Sequence, residues 1–260
     1  AHRPPPICDT LSSMISLAGK TVLITGAAKR LGAAMAKACA AEGANIVVHY
    51  ASSRVEAESL AHALARTGVN AWTVQGDFFK PANAQSIFDS ALRAASRVDF
   101  LINNASIFPE STFADVDATD VHTNVDLHAL SPMYLARALQ GSGARGAVIN
   151  MLDCKIADYD RTHLAYHLSK RMLHALTRIM AVELAPQIRV NGIAPGLVLP
   201  PEGKDENYLA ELAHSNPLNT YGNAEDIAAA ALFLLKSDFV TGEIVYVDGG
   251  RNLRGNMYGG

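Results

Sequence analysis

The hydrophobic positions of the chain follow two alternating rhythms. Short apolar runs rich in Val, Ile and Thr alternate with longer stretches in which apolar residues recur every three or four positions. Several of the short runs are apolar on both faces, which is typical of strands in a parallel sheet covered by helices on both sides. The pattern predicts an α/β fold with a doubly wound, seven-stranded parallel sheet. The predicted strands span residues 21–25, 45–50, 71–76, 99–104, 147–152, 188–194 and 243–249.

Length and composition favour one domain that acts on a small molecule. The chain has 260 residues, of which 49% are hydrophobic, and its formal charge is −3 without any block of like charges. A single Rossmann-type domain over residues 20–260 is expected, preceded by an irregular extension over residues 1–19 that contains three consecutive prolines. We expect no nucleic-acid partner, no membrane span and no signal peptide.

The cysteines favour a reducing compartment, and their spacing does not match that of metal ligands. Cys8, Cys39 and Cys154 are scattered without the spacing of metal ligands. An odd and sparse set of cysteines is typical of reduced thiols, so a cytoplasmic protein without disulfides or a metal is expected.

A glycine loop follows the first predicted strand. In doubly wound folds, ligands bind beyond the carboxyl ends of the strands, and the stretch "TGAAKRLG" (25–32) stands at the first such end. Gly26 and Gly32 permit a close approach of the backbone to a pyrophosphate, which the amides of the next helix, around 30–42, would also bind. Arg30 occupies the usual place of a third glycine, between Lys29 and Leu31. We therefore predict a dinucleotide site with additional positive charge.

The segment after the second strand favours NADP(H) over NAD(H). An enzyme that prefers NAD usually has a carboxylate here for the ribose hydroxyls, but "HYASSRVEAE" contains none before Glu56. Tyr50, Ser52 and Arg54 instead supply hydroxyls and a guanidinium suited to a 2′-phosphate. The alternative is that Arg54 simply lies at the solvated start of a helix.

The third and fourth strands are followed by further candidate ligands of the cofactor and substrate. An aspartate in "GDFF" can accept from the adenine amino group, although an aspartate that caps the next helix has the same sequence pattern. The phenylalanine shortly after "NNAS" can pack in the protein or stack on a planar heterocycle. The candidates in these two segments are Asp77, Phe78, Asn104, Ala105, Ser106 and Phe108.

The stretch "YHLSK" (166–170) contains a candidate catalytic pair. On a helix, Tyr166 and Lys170 are four residues apart and share a face. The ammonium group would lower the pKa of the phenol and also reach the ribose of the cofactor. Tyr166 is therefore a candidate acid or base, with Lys170 as its partner.

From Lys20 to Leu253 the chain resembles the short-chain dehydrogenases/reductases. The Tyr-x-x-x-Lys pair, the Asn-Asn-Ala segment, "PG" at Pro195 and Gly196 and "VDGG" at 247–250 occur in the order of that family. The family usually has a serine thirteen residues before the tyrosine, but this chain has Asp153. This departure and the glycine loop are similar to the pteridine reductases and the bacterial dihydromonapterin reductases.

The resemblance implies an NADPH-dependent reduction of a dihydropterin or dihydrofolate C=N bond. The catalytic residues would be Asp153, Tyr166 and Lys170. Pro195 and Gly196 would line the cofactor site, and Ser106 would help to bind the substrate. It also implies that Arg30 contacts both a cofactor phosphate and the pterin, and that Phe108 stacks on the pterin. The alternatives are a reductase of a carbonyl, such as a 3-oxoacyl thioester or a sugar ketone, and a non-catalytic dinucleotide sensor.

The family resemblance further implies a homotetramer and leaves one residue assignment open. Two helices, around 117–140 and around "YHLSK", would pair across two-fold axes through stripes such as Leu135, Leu139, Met172 and Leu176. The alternative is that these stripes face only the sheet. Many members have an asparagine four residues before a proline such as Pro132, where it supports a water chain to the lysine. That position is His128 here, and Asn124 lies one turn earlier, so a helix irregularity near the proline would decide between them.

Overall fold

The fold is a seven-stranded parallel sheet in the order β3-β2-β1-β4-β5-β6-β7. A computed structural model of the chain describes residues 14–158, 160–201 and 203–254. The prediction of one doubly wound, Rossmann-type domain is confirmed, and the strand order reverses between β1 and β4, where such sheets bind ligands. The strands are β1 (Thr21–Ile24), β2 (Asn45–Tyr50), β3 (Ala71–Gln75), β4 (Phe100–Asn103), β5 (Gly146–Met151), β6 (Ile188–Pro195) and β7 (Ile244–Val247).

Helices cover both faces of the sheet. The first layer contains α1, α2 and α8, and the second contains α3, α5 and α6. No helix in the described parts of the chain is both long and apolar enough to cross a membrane. The helices are α1 (Arg30–Ala41), α2 (Arg54–Ala65), α3 (Asn83–Ala95), α4 (Ala118–Val125), α5 (Ser131–Gly141), α6 (Leu164–Glu183), α7 (Glu206–Leu212), α8 (Ala224–Lys236) and α9 (Arg251–Arg254).

The central strands are apolar throughout because both of their faces are buried. Val22 and Ile24 of β1 pack into the core on the side of α1 and α8, whereas Leu23 packs into the core on the opposite side. All three side chains are fully buried. A run of consecutive β-branched and aliphatic residues is therefore required here, and it was the feature that identified these strands.

The segment just before β1 belongs to the folded domain. Leu17 is 1% exposed and lies in the core, and the Ile15 backbone N–H donates to the Lys236 carbonyl at 2.8 Å. The predicted extension was 1–19, of which residues 1–13 lie outside the described residues. The domain therefore begins before Lys20, and the boundary at 19/20 needs correction.

The two long helices do not present the predicted apolar stripes in full. Leu135 and Leu139 of α5 are buried in the protein's own core, so they are unavailable to a partner subunit. Met172 of α6 is 38% exposed, whereas Leu176 packs against the core. The prediction of an interface through Leu135 and Leu139 is therefore wrong.

A π-helical turn separates α4 from α5. Residues Asp126–Leu130 form this turn, and Pro132 stands in the first turn of α5 directly after it. Proline lacks a backbone N–H and crowds the preceding turn, so a wider turn accommodates it. The irregularity near Pro132, one of the two possibilities left open by the sequence, is present, and it lies between Asn124 and the proline.

Candidate active site

A cavity of about 380 Å³ opens at the carboxyl ends of the central strands. It gathers residues from the glycine loop, from the segments after β4, β5 and β6, and from α6. Residues that the sequence analysis selected account for most of its lining: Gly26, Lys29, Arg30, Leu31, Asn104, Ala105, Ser106, Asp153, Tyr166, Lys170, Pro195 and Gly196. Gly32, Met151, Leu152, Val198 and Leu199 also line it.

The candidate acid, its carboxylate partner and the lysine meet in this cavity. The Tyr166 hydroxyl donates to Asp153 Oδ2 at 3.1 Å, and Asp153 Oδ1 accepts from the Lys155 backbone N–H at 2.8 Å. Lys170 Nζ donates to the Met151 carbonyl at 2.7 Å and lies 5.5 Å from the centroid of the Tyr166 ring. The end of β5 and one turn of α6 therefore bring the three side chains together.

Burial controls the ionisation of this group. It raises the pKa of Tyr166 well above its usual value, and Asp153 adds to the rise through charge and the hydrogen bond. Burial lowers the pKa of Lys170 to about 8, with Asp153 opposing the shift. The expectation that Lys170 lowers the pKa of the phenol is therefore not met. Tyr166 is a protonated phenol at neutral pH and is able to donate a proton.

The glycine loop is packed too closely for a side chain at Gly26 or Gly32. Gly26 has φ +61°, and a Cβ atom there would lie 3.0 Å from the Ala105 Cα. A Cβ atom on Gly32 would lie 2.5 Å from the Gly26 carbonyl oxygen. Asn104 fixes the loop, because its Nδ2 donates to the Thr25 carbonyl at 2.9 Å. Both glycines are therefore required by the close packing of this loop.

His49 supports the same loop and was missed by the sequence analysis. Its Nδ1 accepts from the Gly26 backbone N–H at 3.2 Å, and its Nε2 lies 3.1 Å from the Gly76 carbonyl. Burial lowers the pKa of His49 to about 4, so the imidazole is neutral and has one donor and one acceptor nitrogen. A histidine within the otherwise apolar run "NIVVHY" was the available signal.

Arg30 starts α1 and lies over the cavity. Its backbone is in the left-handed region with φ 55°, and its Nη2 donates to the Pro200 carbonyl at 2.6 Å. The first turn of α1 contains no acidic residue. A helix N-terminus, a glycine loop and a guanidinium therefore converge on one space, which suits the phosphates of a dinucleotide.

The residues predicted for the 2′-phosphate lie at the end of β2, outside the cavity lining. Arg54 begins α2 and donates to Gln75 Oε1 at 2.8 Å, with its guanidinium 5.8 Å from the centroid of the Tyr50 ring. Tyr50 is buried, whereas Ser52 is exposed. Arg54 therefore stands at the solvated start of α2 with a partner in the protein, and its contact with a 2′-phosphate stays a prediction.

Glu56 is closer to the glycine loop than its place in the sequence indicated. Its Oε1 lies 2.8 Å from Lys29 Nζ, in an exposed ion pair. The hydrogen bond from Lys29 lowers the pKa of Glu56. The loop therefore has a carboxylate beside Lys29, whereas the Arg30 guanidinium lies against the Pro200 carbonyl; both cations line the cavity.

The segment after β3 forms a local turn. Asp77 is exposed, and its Oδ1 accepts from the Phe79 backbone N–H at 3.2 Å and from Asn83 Nδ2 at 3.3 Å. The Phe78 ring is buried, 4.8 Å from the His49 ring. A contact between Phe78 and the cofactor would therefore involve its main chain, and its role as a cofactor ligand stays a prediction.

His128 joins the substrate-side loop to α6. Its Nε2 accepts from the Ile107 backbone N–H at 3.2 Å and lies 2.9 Å from Ser106 Oγ. Its Nδ1 is 2.9 Å from Ser169 Oγ, which itself donates to the Tyr166 carbonyl and so accepts from the imidazole. Burial and, next, the charge of Lys170 lower the pKa of His128 well below its usual value, so it is neutral.

Neither candidate for the support of the lysine reaches it directly. Asn124 is buried and donates through Nδ2 to the Asp120 carbonyl at 3.0 Å. Among the described residues, neither Asn124 nor His128 hydrogen-bonds to Lys170, whose Nζ donates to the backbone of β5. The π-helical turn is what directs His128 to the loop at 106–108.

Phe108 lies beside the catalytic tyrosine but does not line the cavity. Its ring is stacked on the His163 ring, with centroids 3.6 Å apart and planes 11° apart, and its edge contact with Tyr166 has a centroid distance of 4.6 Å. Phe108 is 49% exposed. His163 was not selected from the sequence. In the described parts of the chain, no group of three or more His, Cys, Asp or Glu residues is arranged to hold a metal ion.

The fold and this site define an oxidoreductase that depends on a nicotinamide dinucleotide. The site combines a glycine loop at a helix N-terminus with a buried Tyr-Lys pair at the switch point of the sheet. A family model described as enoyl-(acyl carrier protein) reductase matches residues 26–252. The chain belongs to the short-chain dehydrogenase/reductase family, as the motifs predicted.

Relatives of similar identity differ in their substrates. Pteridine reductase 1 of Leishmania tarentolae is 31% identical over an aligned length of 276. The alignment covers 89% of this chain and 96% of the relative. Dihydromonapterin reductase of Escherichia coli O9:H4 (strain HS) is 31% identical over 245 residues, which cover 91% of this chain and 100% of the relative. L-rhamnose 1-dehydrogenase (NAD(P)(+)) of Sphingomonas sp. (strain SKA58) is 32% identical over 247 residues, which cover 90% of this chain and 96% of the relative.

A solved structure is similar over nearly the whole chain. The crystal structure of FolM alternative dihydrofolate reductase 1 from Brucella canis, complexed with NADP, superposes with a TM-score of 0.85 at 29% identity. The match covers 92% of this chain and 96% of that chain. The similarity to pteridine and dihydromonapterin reductases that the motifs indicated is confirmed.

Proposed function

We propose that this protein uses NADPH to reduce the C=N bond of a dihydropterin or dihydrofolate to the tetrahydro form. The observation that carries the proposal is the hydrogen bond from the Tyr166 hydroxyl to Asp153 Oδ2, at the position where the family usually has serine. A carboxylate accepts from the N–H and amino donors of a pterin, whereas it would repel the developing negative charge of a carbonyl oxygen. The similarity to pteridine and dihydromonapterin reductases supports the same substrate class.

The proposed reaction adds one hydride and one proton across the C=N bond. When bound, NADPH supplies the hydride to the carbon atom. Tyr166 donates its phenolic proton to the nitrogen atom, and its raised pKa keeps that proton in place beforehand. Asp153 then passes a proton from solvent to the phenolate, and Lys170 orients the nicotinamide ribose. The residues thus return to their starting protonation states after each turnover.

The same proposal includes a preference for NADPH over NADH. Arg30 and Arg54 supply guanidinium groups, and each charge-assisted hydrogen bond to a phosphate contributes about 1.5–3 kcal/mol. Glu56, the first carboxylate after β2, is engaged by Lys29 in an ion pair. A comparison of kcat/KM for the two cofactors tests this preference: we expect NADPH to be better by at least about tenfold, and equal values would refute it.

We also propose a homotetrameric assembly in the cytoplasm. Helix α6 has an exposed apolar stripe formed by Leu168, Met172, Ile179 and Val182. Such a stripe on the helix that also carries Tyr166 is suited to pairing across a two-fold axis. Cys39 and Cys154 are free and buried, which agrees with a reducing compartment, and Cys8 lies outside the described residues.

A carbonyl reductase is the second candidate. It is favoured by the relative named L-rhamnose 1-dehydrogenase, whose identity to this chain equals that of the pterin reductases to within 1%. A non-catalytic dinucleotide sensor is the third, and the paired Tyr166 and Lys170 argue against it because a sensor has no need of a buried acid.

NADPH oxidation with a panel of substrates separates the three candidates. The panel contains dihydrobiopterin, dihydromonapterin, dihydrofolate, an acetoacetyl thioester and a sugar ketone. We expect turnover of at least one of the first three and none of the thioester or ketone. Turnover of only a carbonyl compound would favour the second candidate, and NADPH binding without any turnover would favour the sensor.

A further inference from the structure

We infer that His163 is a positioning residue that fixes the Phe108 ring beside Tyr166, at the edge of the cavity where the substrate ring would bind, and that Asp160 in turn fixes His163. The inference deepens the proposed function and rests on it. It assigns to the protein a rigid aromatic layer, His163 on Phe108, that selects planar heterocycles over substrates without a ring.

The stack of the two rings is close and nearly parallel. The centroids are 3.6 Å apart and the planes differ by 11°, so the imidazole covers one face of the phenyl ring. The phenyl ring also contacts the Tyr166 ring edge-on, at a centroid distance of 4.6 Å. An exposed side chain on a loop otherwise changes rotamer within picoseconds to nanoseconds. The stack on His163 therefore limits Phe108 to one orientation beside the catalytic phenol.

A carboxylate fixes the imidazole. Asp160 Oδ1 lies 2.7 Å from His163 Nδ1, and Asp160 Oδ2 lies 3.1 Å from His167 Nε2. Burial alone would raise the pKa of Asp160, but hydrogen bonds from His167 and His163 hold it well below its usual value. Asp160 is therefore ionised at any working pH and sets the orientation of the His163 ring.

The backbone joins the two loops that carry the stacked rings. The Ser111 backbone N–H donates to the Thr162 carbonyl at 2.7 Å, and the Leu164 backbone N–H donates to the Ser111 carbonyl at 2.8 Å. Ser111 lies three residues after Phe108, and Leu164 directly follows His163. Both rings are thus mounted on one connected segment at the start of α6, so the stack is built into the fold.

The consequence concerns binding of the substrate ring. A flat pterin needs a phenyl face of fixed orientation, and an aromatic pair contributes about 0.5–1.5 kcal/mol beyond its buried area. His163 does not touch the reacting atoms, so its loss is expected to affect the KM of a pterin and to spare kcat. A substrate without an aromatic ring makes no use of the layer and should be unaffected.

The test compares His163→Ala, His163→Phe and Asp160→Asn with the wild type at saturating NADPH. For dihydrobiopterin, we expect His163→Ala to raise KM about three- to tenfold, with kcat within about twofold of wild type. This change in KM corresponds to about 0.65–1.4 kcal/mol, which lies within the range for an aromatic pair. His163→Phe keeps a ring on Phe108 and should restore KM to within about twofold. Asp160→Asn should give an intermediate KM, since it weakens only the orientation of the imidazole. His62→Ala, an exposed histidine on α2, is the matched control and should change nothing.

Each failure has a distinct meaning. Wild-type protein that turns over no pterin overturns the proposed function, and this inference with it. Wild-type turnover with an unchanged KM in His163→Ala, or with His163→Phe as impaired as His163→Ala, overturns this inference alone. Should His163→Ala fail to fold, the other two variants still decide. A normal KM in His163→Phe together with a raised KM in Asp160→Asn supports the inference, whereas a raised KM in His163→Phe or a normal KM in Asp160→Asn contradicts it.

Discussion

Arg30 combines a strained backbone with a position over the cavity. Its φ of 55° lies in the left-handed region, which costs a residue with a Cβ atom roughly 1–2 kcal/mol. Related loops usually have glycine in this place, where the same conformation carries no such cost. Strain that persists beside a ligand site indicates a functional side chain, in agreement with the proposed contacts of the guanidinium to phosphate and pterin.

Replacing Arg30 with glycine should therefore separate stability from function. We expect Arg30→Gly to raise the free energy of unfolding by about 1 kcal/mol, because the strain is released. The same variant should raise the KM values of NADPH and dihydropterin, because a charge-assisted contact is lost. Thermal unfolding and steady-state kinetics measure the two effects. Arg30→Ala is the control: it keeps the strain and should lose function without gaining stability. A glycine variant with unchanged KM values would contradict the role of the guanidinium.

Lys170 should set the alkaline limit of activity. Its pKa is about 8 because of burial, so its charge disappears as the pH rises through this value. We expect kcat/KM to fall above pH about 8, since a neutral amine orients the ribose less well. Tyr166 is not the expected cause, because burial raises its pKa well above the usual value. A profile that stays flat to pH 10 would contradict this assignment.

Unfolding is not the expected reason for that loss. In the unfolded chain the lysine has its ordinary pKa of 10.5, which is higher than in the folded protein. The unfolded state thus binds more protons between pH 8 and 10.5, and the contribution of Lys170 to stability improves as the pH rises through this window. Circular dichroism at each pH is the control, and a retained fold with a falling rate assigns the effect to catalysis.

At the scale of elements, the local sequence was sufficient to predict strands that are buried between two apolar layers. Successive apolar side chains of β1 point alternately into the two cores, so the run is apolar on both faces. The strand could therefore be recognised without knowledge of the fold. The glycine loop was equally clear, because Gly26 and Gly32 are constrained by backbone contacts within the loop and with Ala105. These features determine the position of the cavity.

Features that depend on tertiary geometry could not be predicted in the same way. Pro132 indicated an irregular helix but not which turn would widen, so the orientation of His128 remained open. The stack of Phe108 on His163 joins segments that are far apart in sequence, and neither residue has an unusual neighbourhood. The pKa of Tyr166 depends on burial and on Asp153 more than on the nearby lysine, which the helical spacing alone suggested.

At the scale of the whole molecule, the exposed stripe on α6 is the feature that the proposed assembly explains. Ile179 is 54% exposed and Val182 is 75% exposed, on the helix whose first turns carry Tyr166 and Lys170. An interface there would lie behind the active site and stabilise the catalytic helix. The buried Leu135 and Leu139 show why the apolar pattern alone misplaced this surface, since helix faces that meet the sheet have the same periodicity.

Charge on the stripe should break the assembly. We expect wild-type protein to be a tetramer by light scattering at micromolar concentration, and Ile179→Glu combined with Val182→Glu to form smaller species. Burying two carboxylates without partners costs several kcal/mol. Val55→Glu on α2, where Val55 is 76% exposed, is the matched control and should stay tetrameric. A wild-type monomer, or a double variant that remains a tetramer, would refute this interface.

The most direct measurement of the proposed chemistry is single-turnover reduction of dihydrobiopterin by NADPH in Asp153→Ser. This change installs the serine that the family usually has, and the loss of the carboxylate should slow the reaction about 10²–10⁴-fold while NADPH affinity changes little. Tyr166→Phe should be similarly slow, and the double variant should lose less than the product of the two effects, because the residues act in one proton relay. The contradicting result is a rate for Asp153→Ser within about threefold of wild type across the pH range, because the loss of an acid or base slows a reaction far more. Asp153 would then have no part in the reaction, and the assignment to pterin reduction would be contradicted.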